Sequence, residues 1–385
     1  MTASGQGRPE HAGGPPRVIA EIGTSHGGEL SKARELIQAA AEAGAQVAKF
    51  QAVIADEIVH PQAGSIALPG GSVPIYERFL ALEQPPEFYA ALQEACLNAG
   101  VGFLCTPFGL ESAAMLSQLQ IREWKIASPE LNHLPLIRYV AETGLPVILS
   151  SGVSSLSDIE LALETVREAG PREITLLHCV TSYPAPAEEY NLRLLPLLAA
   201  LFGVEVGVSD HSEDPELVPG LAVLMGAQVI EKHITLSRGG DGLDDPIALE
   251  PEAFRKSVQV AESVWQLLRA GADEETLLRE FRSSYGENRV EAVLGTGRKE
   301  LAPSEAENYR STNRSILVRQ EISAGTTLTS DHLALLRSEH NLSPGLHPRF
   351  LDTVIGATVQ VDLPAGSGLT WEHLLIRDPK KEDAL

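Results

Sequence analysis

Eight short β-rich runs in this chain each stop on groups that can do chemistry. VIAEIG (18–23) carries Glu21, and QVAKFQ (46–51) carries Lys49 and Gln51. GFLCTPF (102–108) delivers Thr106 and Phe108, while EWKIAS (123–128) delivers Lys125 and Ser128, with Glu130 just beyond. PVILSSG (146–152) ends on Ser150 and Ser151, and ITLLHCV (174–180) runs into Thr181, Ser182 and Tyr183. VEVGVSDH (204–211) closes on Ser209, Asp210 and His211, and QVIEKHIT (228–235) holds Glu231, Lys232 and His233. Singly, each has an ordinary explanation. A Ser or Thr after a strand caps the next helix, a Lys snorkels to water, and a His packs in a core. Burying Lys49, Lys125, Glu21 and Glu231 around one mouth is costly unless they pair or hold a ligand, so the set reads as one converging site.

Two lysines among several hydroxyls suit an anion that carries phosphate and carboxylate. His211 and His233 close consecutive runs, and neighbouring strands lie about 4.8 Å apart, so two imidazoles there can share one divalent metal with coordination positions left open. Asp210, Glu231 and Glu21 are at hand as ligands, orienters or bases. The residues alone therefore predict a divalent metal and a phosphorylated small acid. Lys49, Lys125 and Lys232 leave a Schiff-base aldolase open as an alternative, which needs one lysine desolvated enough to be neutral.

The elements that must position these groups alternate. Amphipathic helical patterns such as SKARELIQAAAEAG and SLSDIELALETVREAG separate the runs, which implies βαβ units and a parallel sheet. Eight units over residues 17–270 are the pattern of a (β/α)8 TIM barrel; an open doubly wound sheet is the alternative, and no run is followed by a Gly-rich dinucleotide fingerprint. DEIVHPQAGSIALPGGSVPIYERF, after the second run, is too long for a simple βα turn and reads as a lid or binding loop. Residues 271–312 read as a charged linker, within which DEETLLRE has the look of a solvated helix face. Residues 313–377 read as a small β-rich domain in which SILVRQEISAGTTLTSDHLALLR and TVIGATVQVDLPAGSGLTWEHLL share a layout. Residues 1–16 read as a disordered leader and 378–385 as a frayed tail. The net charge of −22 over 385 residues argues against general affinity for nucleic acid or anionic membranes. Runs of roughly 20 apolar residues, as a membrane span needs, are absent from the sequence. Cys96, Cys105 and Cys179 form no disulfide framework, and a reduced, cytoplasmic setting is expected.

AEIGTSHGGE, AKFQ, CTPF, KIASPE, LSSG, LLHCVTSYP, GVSDH and IEKHIT, in this order, resemble the motifs of the sialic acid synthase (N-acetylneuraminate synthase) family, and the small domain resembles that family's antifreeze-like (SAF) domain. The resemblance implies an enzyme that condenses phosphoenolpyruvate with an N-acyl hexosamine, N-acetylmannosamine or a relative, to a nonulosonic acid and phosphate, with Mn2+ or Mg2+ and as a domain-swapped homodimer. By motif position it implies that His211 and His233 bind the metal and that Lys49, Thr106, Lys125, Ser128, Ser150 and Ser209 hold phosphoenolpyruvate. Glu21, Glu130 and Asp244 would face the sugar with Tyr183 and Phe108 nearby, Glu21 or Glu231 would manage a proton, and Arg314 would reach into the partner's barrel. The chain departs from the pattern on the sugar side. Ser25-His26-Gly27-Gly28 replaces Asn-His-Asn-Gly, Pro129 replaces Gly, Thr181 stands where Asn is frequent, and Asp245 stands where His is common. SEHNLSPGLHP occupies the place of an Arg-Pro-Gly pattern. These departures point to an acceptor other than N-acetylmannosamine, or to a non-catalytic sugar-binding descendant.

Overall fold

A computed structural model of the chain describes residues 14–374 apart from 69–70, 171–172, 241 and 340; the expected tail and most of the expected leader lie outside the described residues. The strands in chain order are β1 (Arg17–Gly23), β2 (Val47–Ala52), β3 (Ser65–Leu68), β4 (Gly71–Pro74), β5 (Gly102–Pro107), β6 (Trp124–Ile126), β7 (Val147–Ser150), β8 (Ile174–Cys179), β9 (Glu205–Asp210), β10 (Val229–His233), β11 (Arg314–Val318) and β12 (Leu333–Arg337). Eight of them form one parallel sheet in the order β5-β2-β1-β10-β9-β8-β7-β6, with β5 and β6 alongside each other to complete the ring. This is the expected barrel, because each run is followed by a helix whose apolar stripe must be buried on the outside of the sheet. The helix Leu30–Glu42 shows the rule: Ala33, Leu36, Ile37 and Ala40 are buried at i, i+3, i+4 and i+7, and burial of Leu36 and Ile37 stabilises by about 1.5–3 kcal/mol each. An Asp at either position would break that packing.

Inside the ring the two-residue period of a strand sorts the chemistry by height. Ile19, Val47, Leu104, Ile148, Leu177 and Val229 make one dry layer. Gly207 belongs to the same level, and a Cβ there would stand 2.2 Å from the Val229 carbonyl oxygen and 2.7 Å from Leu177 Cδ2, so the layer has room for glycine alone. Two residues further along the same strands come Glu21, Lys49, Thr106, Ser150, Cys179, Ser209 and Glu231, all buried. The apolar layer is thus a floor, and the polar layer lies on it at the C-terminal ends of the strands.

The connection to the small domain corrects the expected linker. Residues 271–312 contain two helices, Glu274–Tyr285 and Glu287–Leu294, whose Leu277, Val290, Val293 and Leu294 join the main core. The charged residues that suggested a linker occupy the outer faces of those helices. Beyond them β11 and β12 pair antiparallel over a separate core of Ile316, Val318, Ile322, Leu328, Val354, Val359, Leu363 and Leu369. The shared layout of its two halves is real: each ends in a short 3-10 turn closed by a Thr-His capping box, Thr329 with His332 and Thr370 with His373. The small domain docks on the barrel of its own chain. Asn132 Nδ2 donates to the Arg314 carbonyl at 2.9 Å and its Oδ1 accepts from Arg314 N at 3.1 Å. Leu342 packs into the apolar cluster of Ile58, Val59, Ile75 and Phe108, formed largely by the long loop after β2. No described helix is long and apolar enough to cross a membrane.

Candidate active site

Burial forces the polar layer into pairs. Lys49 Nζ lies 2.9 Å from Glu21 Oε2 and 3.4 Å from Glu231 Oε1, and Lys125 Nζ lies 3.8 Å from that same Glu231 oxygen. Hydroxyls complete the layer: Lys125 Nζ donates to Ser150 Oγ at 2.6 Å, Lys49 Nζ to Thr106 Oγ1 at 3.4 Å, and Ser209 Oγ to Glu231 Oε1 at 3.1 Å. Gln51 Nε2 fixes Glu21 at 2.7 Å, and Ser128 Oγ accepts from Gly152 N at 3.0 Å. Burial pushes the Glu231 carboxyl up, but Lys125 and Lys49 together outweigh it and hold the group low. Burial likewise pulls Lys49 down, yet Glu21 and Glu231 win and raise it. For Lys125, burial prevails and its ammonium is lowered.

The two histidines stand beside this layer with ring centroids 5.3 Å apart. His211 Nδ1 is 2.9 Å from the Val180 carbonyl. A carbonyl can only accept, so Nδ1 carries a proton; burial lowers the ring's pKa, but Cys179 and the Val180 carbonyl outweigh it and raise it to about 9, so a metal ion would take Nε2 only by displacing its proton. Burial holds His233 down at about 3, a neutral imidazole and hence a ready ligand. Glu231 Oε2 is buried with no hydrogen-bond partner. Among the described residues no group of three or more His, Cys, Asp or Glu side chains is arranged as a metal cage. Two imidazoles are donors of the kind a divalent ion accepts, and a pair alone would leave its remaining positions to solvent or substrate. Tyr183 covers the pair, stacked on His211 at 4.4 Å and edge-on to His233 at 6.1 Å, with Asp244 Oδ2 3.8 Å from His233 Nδ1.

The remaining expected residues gather on the barrel rim. Glu130, in the 3-10 turn Ser128–Glu130, accepts on Oε1 from Arg314 Nη2 at 2.8 Å and Arg337 Nη2 at 2.7 Å. Arg314 also donates to the carbonyls of Phe108, Ile58, Leu335 and Glu57. The sequence expectation has Arg314 reaching into a partner's barrel; in the single chain its guanidinium is taken up by Glu130 and by main-chain carbonyls of the same chain. Sequence reasoning missed Arg337, which faces Arg314 across the β11–β12 ladder; strand register is not visible in one sequence. It also set Lys232 beside Lys49 and Lys125. Lys232 instead points outward, bound to Asp210 Oδ2 at 2.6 Å and the Ser212 carbonyl at 2.7 Å. Its place between Glu231 and His233 in a strand was the signal, since neighbours in a strand face opposite ways. A surface groove of about 890 Å³ lined by Arg193, Leu197, Met225, Asp273 and Leu278 contains none of these strand-end groups.

Fold and site together define a TIM-barrel enzyme with a charged strand-end centre roofed by a small β domain. The chain belongs to the NeuB family, which matches residues 36–273, and its residues 313–375 match the SAF domain. It is 36% identical to the spore coat polysaccharide biosynthesis protein SpsE of Bacillus subtilis, over 94% of this chain and 95% of that one. It is 32% identical to the N,N'-diacetyllegionaminic acid synthase of Legionella pneumophila, over 93% of this chain and 94% of that one. The crystal structure of Bacillus subtilis SpsE superposes with a TM-score of 0.80, at 35% identity, covering 94% of this chain and 96% of that one. An N-acetylneuraminic acid synthetase from Leptospira borgpetersenii, solved with citrate, superposes with a TM-score of 0.61 at 33% identity, covering 71% of this chain and 93% of that one.

Proposed function

We infer that this chain condenses phosphoenolpyruvate with the open-chain aldehyde of an N-acyl hexosamine, giving a nonulosonic acid and phosphate in a cytoplasmic setting. The observation that carries the reading is the buried lysine–glutamate layer, Lys49 with Glu21 and Glu231 and Lys125 with Glu231, standing beside two neighbouring imidazoles at the ends of adjacent strands. Related enzymes named as N,N'-diacetyllegionaminic, pseudaminic and N-acetylneuraminate-9-phosphate synthases support it.

In this reading Lys49 and Lys125, with Thr106, Ser128, Ser150 and Ser209, bind the phosphate and carboxylate of phosphoenolpyruvate, the ammonium groups exchanging carboxylate partners for ligand oxygens. C3 of phosphoenolpyruvate bonds to the aldehyde carbon, water adds at C2, and the bond from C2 to the phosphate oxygen breaks to release phosphate. A divalent ion, Mn2+ or Mg2+, held by His211 and His233 would supply Lewis-acid polarisation of the aldehyde. Glu231, kept ionised by the two lysines, or Glu21 takes the proton of the added water. Glu130, Asp244, Tyr183 and Phe108 face the sugar. The domain-swapped homodimer belongs to this reading as well.

The test is phosphate release from phosphoenolpyruvate across a panel of mono- and di-N-acylated hexosamines with Mn2+ or Mg2+, and mass identification of the product. Activity that EDTA removes and metal restores is the expected result. No phosphate with any acceptor would overturn the reading. One observation favours a second chemistry: burial lowers Lys125 whereas Glu21 and Glu231 raise Lys49, so an aldolase would form its Schiff base on Lys125. Borohydride trapping of a carbonyl substrate on Lys125 would establish that alternative.

A further inference from the structure

The loop that follows β7 reads Ser150-Ser151-Gly152-Val153, and its backbone passes close against the polar layer. A Cβ on Gly152 would stand 2.0 Å from Thr181 Oγ1, 2.9 Å from Ser128 Oγ and 3.1 Å from Cys179 Sγ. The Gly152 amide donates to Ser128 Oγ at 3.0 Å. A hydroxyl that accepts from behind still has its own proton to give, so this contact leaves Ser128 able to donate to an anion. The next residue is held in an unfavourable shape. Val153 has φ 43°, in the left-handed region that a β-branched side chain resists, and it is fully buried. Groups outside the loop must keep it there.

Those groups come from the segment between the helix Glu287–Leu294 and β11. Glu305 Oε1 accepts from the Val153 amide, and Asn313 Nδ2 donates to the Val153 carbonyl at 3.1 Å. Both main-chain groups of the strained residue are thus taken by side chains 152 and 160 residues further on. Glu305 and Asn313 are themselves buried, and Asn313 Oδ1 accepts from Arg310 N at 3.1 Å, which fixes the orientation of its amide. Burial pushes the Glu305 carboxyl up, against the pull of Lys299 and of the main chain at Val153 and Thr181. The carboxyl therefore reaches the loops after both β7 and β8, whose Gly152 and Thr181 lie against each other. We propose that Glu305 and Asn313 are positioning residues for the phosphoenolpyruvate pocket. They lock Val153 in its left-handed conformation and so set Gly152 against Ser128, beside Ser150. The ligand rests on the condensation reading, and the segment that joins the two domains supports the anion site without touching the ligand.

The experiment measures binding directly, so that it does not depend on turnover. Wild type, Glu305→Ala, Asn313→Ala, and Glu305→Ala combined with Val153→Gly are titrated calorimetrically with phosphoenolpyruvate and, separately, with Mn2+. Thermal unfolding shows that each variant is folded, and Glu305→Gln, which keeps one acceptor oxygen, carries the same test if the alanine variant does not fold. Glu305→Ala should weaken phosphoenolpyruvate about 10-fold and leave Mn2+ affinity nearly unchanged, and Asn313→Ala should act in the same direction. Glycine enters the left-handed region without a Cβ penalty, so Val153→Gly should recover about 3-fold or more of the loss. A residue that merely tethered the domains would give no such rescue. Wild-type affinity for phosphoenolpyruvate in Glu305→Ala and Asn313→Ala overturns the proposal. So does an equal loss of Mn2+ affinity, a missing rescue by Val153→Gly, or a wild type that binds no phosphoenolpyruvate. Phosphoenolpyruvate binding that Glu305 governs, with no phosphate released to any acceptor, would instead sustain the positioning role and overturn the condensation.

Discussion

Lys49 is the residue on which the polar layer balances, because it touches both Glu21 and Glu231 in a layer where each side chain is at most 6% exposed. Lys49→Met leaves Glu21 without its cation, and removing one partner of a buried pair costs about 3–5 kcal/mol. Denaturant unfolding should show a loss of that size, and a loss below about 1 kcal/mol would mean that the pair behaves as an exposed one. His211→Ala should leave stability nearly unchanged and abolish metal-dependent phosphate release; full activity in that variant would remove His211 from the site. Two further histidines make a prediction about pH. Burial, aided by Arg314 for His133 and by Lys299 for His178, holds both at about 3 when folded. An unfolded histidine binds its proton near pH 6.5, so this stability is complete above that pH. It is lost as the pH falls toward 3, by about 1.4 kcal/mol per unit for each histidine. His178→Gln should flatten the decline of unfolding free energy between pH 6.5 and 4, and an unchanged slope would show that His178 is protonated in the fold. At this scale much was legible in the sequence. Glu21, Lys49, Thr106, Lys125, Ser150, Ser209 and Glu231 were readable as one site, because the two-residue strand period and the cost of burying charge both constrain them. Arg337 was not, because the contact that matters lies between domains.

Among the elements, β10 carries His233 and β9 runs directly into His211, and a second pair on their outer face fixes them. Asp210 is opposite Lys232 in the register, and the Lys232 ammonium closes on Asp210 and on the Ser212 carbonyl while Asp210 Oδ1 accepts from Ser212 N. Tyr190 OH accepts from the His211 amide at 2.6 Å, so the backbone on both sides of His211 is held from behind. Groups that orient metal ligands in this way are typically worth about 10–100-fold in metal affinity. Asp210→Asn should weaken Mn2+ binding within that range, read by titration, while phosphoenolpyruvate binding to the lysines inside the barrel is kept. An unchanged Mn2+ affinity would show that the pair serves stability alone. The strands and their order of use were legible here because eight runs of the same length and polarity admit few arrangements. The helices of the supposed linker were not, since their charged outer faces outnumber the few apolar residues, such as Leu277 and Val293, that pin them to the core.

At the scale of the whole molecule, the barrel and the small domain divide the work. The floor and the polar layer come from the barrel, and two arginines that close on Glu130 come from the small domain. If each chain roofs its own mouth, mixing an Arg337→Met chain with a His211→Ala chain should give no activity beyond the sum of the two. Recovery toward a quarter of the wild-type rate or more would show that roofs are exchanged between subunits. The division into two domains was legible from the loss of strand pattern after the barrel and its return at residue 313. Which barrel the small domain covers was not legible, because that depends on packing by side chains such as Leu342 and Phe108 that are distant in sequence. The placement of Glu130 also has a consequence for synthesis. A ribosome completes every strand of the barrel before it reaches Arg314 and Arg337. Until then Glu130 has neither guanidinium partner. The order of translation therefore sets the order in which this contact can form: the acceptor oxygen is made first and its two guanidinium partners follow.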